Sequence, residues 1–221
     1  MGTLISNIKN NPEKQTELTS GNIPSAASKI NKVAKDAIPS FSETGLINSH
    51  VYQLSKKMNP FRALFNCPIT SYKTAYLLET GQIPKVDLKN PNMPHPMCVK
   101  SVIDAPWADP LFCNFPPNRE YIYIKTCSKA TLDMIMQNLG NKTHAIVAAD
   151  RKGLPFGHIW NYVFDSEREK FIVLDSYSKS YHKNGIENPE KFFNKYNTAD
   201  LEVAIFFERT PANLELIRKI T

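Results

Sequence analysis

Apolar residues recur every three or four positions between Cys67 and Gly81, gather in short β-branched and aromatic runs after Tyr121, and show little order before about residue 45. The first spacing predicts a helix. Asn66 is a favoured cap type, Pro68 stands where a first turn tolerates proline, and Ile69, Tyr72, Ala75, Tyr76 and Leu78 form an apolar face ending at Gly81. Cys67 is therefore expected at the first helical position. Ser128 caps a second helix through Leu139, with Leu132, Ile135, Met136 and Leu139 on one side and Gly140 beyond the end; Pro189 opens a third through Tyr196. Strands are expected at residues 121–124, 143–149, 156–164, 170–175 and, last, 201–207, while residues 98–103 read equally as a short strand or a turn of helix. Helical material first and an antiparallel sheet second gives an α+β fold, with N-terminal helices packed on a C-terminal sheet.

The runs at 156–164 and 170–175 flank the polar stretch Asp165-Ser166-Glu167-Arg168-Glu169 and read as an antiparallel hairpin. A turn centred on Glu167 sets Trp160 opposite Leu174 and His158 opposite Ser176; a slip of one residue sets Asp175 directly across from His158. A carboxylate there fixes the tautomer of the imidazole and stabilises its charged form. The plainer alternative is a core histidine beside a turn aspartate. Trp160 shares the strand face of His158, where it either shields or lines a site or packs in the core, and Asn161 points to the opposite face. At a helix start, Cys67 meets unpaired backbone N–H groups and the positive end of the helix dipole, which favour an anion and can hold a developing oxyanion. Otherwise it is a small buried residue near a cap.

Composition narrows the classes. The 221 residues are enough for one domain with a full core and some length to spare. No run approaches the roughly 18 apolar residues of a membrane span, and the N-terminus lacks the apolar stretch of a secretory leader. The net charge of +6 makes acidic surfaces natural partners, yet no helix carries a basic stripe interleaved with aromatics, so nucleic acid is not expected. Cys67, Cys98, Cys113 and Cys127 lie far apart with no zinc spacing, so neither a metal nor a disulfide framework is expected, and the last three read as buried small hydrophobes. Residues 1–45, rich in Ser, Asn, Thr, Lys and Pro, read as a mobile or loosely docked arm ahead of a domain at 46–221. Residues 82–119 hold eight of the 16 prolines and form a candidate substrate-facing loop, or else a plain crossover.

A nucleophilic thiol needs an imidazole within hydrogen-bond reach and a third group to orient it, and Cys67, His158 and Asp175 occur in that chain order. Asn59-Pro60, Asn66-Cys67 opening a helix that ends at Gly81, Gly157-His158-Ile159-Trp160-Asn161 and Leu174-Asp175 together resemble the papain-like bacterial toxins and effectors that include protein glutamine deamidases. The resemblance spans roughly residues 50 to 208. It implies a papain-like cysteine hydrolase fold with Cys67 as nucleophile, His158 as base and Asp175 as its orienting group. The backbone N–H of Cys67 would then contribute to an oxyanion hole, with Asn66 and Trp160 as candidates to line it. Thr70 and Tyr177 depart from the family, many of whose members carry a second cysteine or a small residue at the first position and glutamine at the second. The implied activity is amide hydrolysis in a target protein, glutamine deamidation ahead of proteolysis, without cofactor or metal; a non-enzymatic binding effector on the same fold is the alternative. The polar arm resembles the secretion signals of effectors injected by type III machinery, which implies export from a bacterium and action in the cytosol of a recipient cell. The expected partners are a protein substrate there and an immunity or activating protein, and the chain is expected to act as a monomer.

Overall fold

A computed structural model of the chain describes residues 67–81, 84, 98–105, 116–166, 169–175 and 188–220. In chain order these hold α1 (Cys67–Thr80), α2 (Val99–Ile103), β1 (Arg119–Cys127), α3 (Lys129–Leu139), β2 (His144–Asp150), β3 (Gly157–Asp165), β4 (Lys170–Leu174), α4 (Pro189–Phe193), β5 (Leu201–Glu208) and α5 (Pro211–Ile220). The strands make a five-stranded sheet in the order β1-β5-β2-β3-β4, with all four neighbouring pairs antiparallel. The fold is α+β. The expected arm at 1–45 and most of the proline-rich loop lie outside the described residues.

The central strand β2 is buried from His144 to Ala149, because both faces of the sheet are covered. Ile146, Ala148, Ile159, Ala204 and Phe206 pack on one face with Cys67, Tyr72 and Ala75 of α1 and Val99 and Val102 of α2. Ala145, Val147, Trp160, Tyr162, Val203, Ile205 and Phe207 pack on the other with Leu132, Ile135, Met136 and Leu139 of α3, Phe192 and Phe193 of α4, and Ile217 of α5. The helices that precede the sheet thus cover one face, and a second helical layer covers the other.

α1 is the element the site depends on. Cys67 through Ala75 and Leu77 are all buried, the polar ones included. Thr70 and Thr74 satisfy their hydroxyls by donating back to Cys67 O at 3.0 Å and Thr70 O at 2.9 Å, which lets polar side chains sit inside a dry layer. Leu77 is buried where Leu78 was the expected position, and Tyr76 and Leu78 are half-buried, because a helix enclosed on nearly all sides is not governed by one apolar stripe. Gly81 ends it with φ of +71° and its N–H on Leu77 O, as the sequence predicts.

Candidate active site

β3 and β4 form the expected hairpin, closed by the pair Asp165↔Lys170, but the register differs from both versions read from the sequence. Asn161 faces Leu174, so one step further Asp175 is level with Trp160 and not with His158. His158 and Asp175 are diagonal neighbours on one face, a separation that an imidazole and a carboxylate can bridge. His158 Nε2 and Asp175 Oδ2 stand 2.6 Å apart, with only 11% of the histidine side chain and 2% of the aspartate's exposed.

Nε2 is thereby committed to the carboxylate, and Nδ1 is left for the thiol. The Cys67 side chain, buried at the start of α1, hydrogen-bonds to His158. Burial by itself would push the imidazole down; the charge and hydrogen bond of Asp175, then the hydrogen bond and charge of Cys67, outweigh it and raise the ring to about 10. At neutral pH this histidine is held as an imidazolium between a carboxylate and a sulfur. Cys67, His158 and Asp175, distant in sequence, are brought together. Asn66 lies outside the described residues.

Trp160 is fully buried and underlies the imidazole, with ring centroids 5.9 Å apart and planes at 25°. Tyr196, unremarked in the sequence except as the end of a helix, does the same at 6.0 Å and 18°. α4 stops at Phe193, and Tyr196 instead forms an isolated bridge with Arg151. Nothing in the spacing of residues 189–196 signals that contact. Cys98 also differs from expectation: it is part-exposed and caps α2, its sulfur accepting from Ser101 N at 3.4 Å. Cys127 is buried, with burial first and then the Asp133 charge raising its thiol to about 11, while Cys113 lies outside the described residues. Among the described residues no group of three or more His, Cys, Asp and Glu could hold a metal ion, and no helix is long and apolar enough to cross a membrane.

No family model matches the sequence, and no curated protein matches it. Two solved structures do. One is the Salmonella effector SpvD in its G161 variant, with a TM-score of 0.45 and 16% identity over 86% of this chain and 95% of that one. The other is the R161 variant of SpvD, at 0.43 and 17% identity over 85% and 94%.

Proposed function

We propose that this chain is a papain-like cysteine hydrolase, a bacterial effector that hydrolyses an amide in a protein of the recipient cell, with Cys67, His158 and Asp175 as its catalytic triad. The observation that carries the reading is the imidazole of His158 hydrogen-bonded at once to Asp175 and to Cys67, a thiol at a helix N-terminus. The Cys67 thiolate adds to the amide carbon, and the oxyanion is held by backbone N–H groups at the start of α1, that of Cys67 among them. His158 gives its proton to the departing nitrogen, leaving a thioester on Cys67. Water, deprotonated by His158, then cleaves the thioester to a carboxylate and restores the thiol pair.

The motif resemblance favours glutamine deamidation, in which ammonia leaves; proteolysis differs only in the leaving amine. Leu154 and Phe156, two of the three large apolar residues exposed among the described residues, stand on the turn that leads into His158. A polypeptide substrate suits such a rim. Alkylation by iodoacetamide, mapped by peptide, is expected to be faster at Cys67 than at Cys98 or Cys127 and to slow in His158→Ala. Cys67→Ala is expected to reduce activity on the target by roughly a thousandfold or more. An unreactive Cys67 together with a fully active Cys67→Ala variant would remove the reading. The intact mass of the target separates the two products, since deamidation preserves chain length. Deletion of residues 1–40 is expected to abolish delivery and leave catalysis unchanged.

A further inference from the structure

We propose that Tyr196 is a positioning residue for His158, holding the flat face of the imidazole while Asp175 and Cys67 hold its edges. The inference rests on the cysteine-hydrolase reading above. The centroids of His158, Trp160 and Tyr196 form a triangle with sides of 5.9, 6.0 and 4.7 Å, so the imidazole rests on two rings that also rest on each other. Trp160 belongs to the same strand as His158, whereas Tyr196 arrives from a different part of the chain and has to be fixed separately. Asn197 N donates to Asp150 O at 2.9 Å, Lys152 N to Lys195 O at 3.0 Å, and Tyr196 bridges Arg151. These contacts pin the 195–197 segment to the end of β2 and the turn into β3, so Tyr196 has one place relative to the imidazole.

Tyr196 is fully buried, so it does not reach a substrate. Burial, with the Asp175 charge next, lifts its hydroxyl above the usual phenol range, so it keeps its proton and relays none during turnover. What it offers is its ring. An aromatic face attracts a cation, and it blocks rotation of the imidazole away from the sulfur. The charged and titratable groups that set the protonation of His158 are Asp175 beyond β4 and Cys67 on α1; Arg151 stands behind Tyr196, its guanidinium 5.9 Å from the Tyr196 centroid.

Tyr196→Phe keeps the ring and Tyr196→Leu removes it; where Leu prevents folding, Tyr196→Met carries the same comparison. The probe is iodoacetamide, with the rate at Cys67 followed against pH in the full chain and the ring protons of His158 titrated by NMR. Phe is expected to match the parent. Leu is expected to slow alkylation near neutral pH by between about threefold and thirtyfold and to shift the His158 titration downward. A folded Leu or Met variant with the parent's rate and titration would overturn the inference, as would a Phe variant that falls as far as Leu. If His158→Ala leaves the parent's Cys67 profile unchanged, it is the cysteine-hydrolase reading that fails, and this inference with it.

Discussion

Gly157 precedes the histidine because there is no room for anything larger. A Cβ at that position would stand 2.9 Å from Ala149 O and 3.3 Å from Asp150 Oδ1, where β3 runs against the end of β2. The obstacle is backbone, which cannot rotate aside as a side chain can. Gly157→Ala is expected to cost about 1–3 kcal/mol in chemical denaturation and to slow alkylation at Cys67, because the strand start that carries His158 must shift. Asp175→Asn tests a different part of the same pair, since it keeps the shape and removes the charge that holds the imidazole protonated. Activity on the target is expected to fall by about a hundredfold or more, with the fold retained by circular dichroism. Residue type and local position were enough to point to Cys67 and Asp175, because a thiol at a helix start and a carboxylate ending a strand are local features. Tyr196 was not legible, because its contact with His158 depends on where a later segment crosses the β2–β3 turn.

The helices and strands differ in how much of their cause is local. α3 was readable to the residue, since Ser128 caps it with its hydroxyl accepting from Thr131 N at 3.1 Å, the apolar spacing is regular, and Gly140 follows it. α2 was left between strand and helix for a physical reason: five residues cannot hold a helix alone, and this one is held from β5. Glu202 accepts from Val99 N at 3.0 Å, from Lys100 N at 2.9 Å and from the Tyr123 hydroxyl at 2.6 Å, placing a carboxylate at the start of α2 from a strand far along the chain. Glu202→Ala strands two backbone donors and a phenol; a loss of about 2 kcal/mol in urea titration is expected, and a variant as stable as the parent would show the cap to be idle. The register of the hairpin centred on Glu167 missed by one residue, and the slipped version by two, because the turn, which sets the pairing, has no Asn-Gly or Gly pair to mark its centre. α5 lies beyond the last element expected from the sequence, although Thr210-Pro211 and the spacing of Leu214, Ile217 and Ile220 carry the signal; only Ile217 of α5 is fully buried.

At the end of α1 away from Cys67, a buried network ties the helix to the sheet. Glu79 contacts Arg119 of β1 at 2.6 Å and His144 Nε2 of β2 at 2.8 Å, with Glu79 and His144 almost wholly inaccessible. Burial works against the Glu79 charge, but hydrogen bonds and charges from Arg119 and His144 prevail and hold its carboxyl at about 2. Its contribution is present above 4.5 and is lost as pH falls toward 2. His144 is pushed down by burial, which Glu79 only partly offsets, so below 6.5 the unfolded chain takes up a proton that the folded one resists, and stability falls further with acid. His158 has the opposite sign. Its raised value means that the contribution of the Asp175 pair is complete below 6.5 and is lost as pH rises toward 10. The melting temperature is therefore expected to peak near pH 6.5 and fall on both sides, for different reasons at the two ends of α1. Glu79→Gln should flatten the acid side below pH 4.5 and leave the alkaline side alone, while Asp175→Asn should do the reverse. Glu79→Ala, which leaves Arg119 buried without its carboxylate, is expected to cost about 3–5 kcal/mol at pH 7. A melting profile whose alkaline slope survives Asp175→Asn would mean that the pair at the head of α1 does not hold the charge assigned to it here.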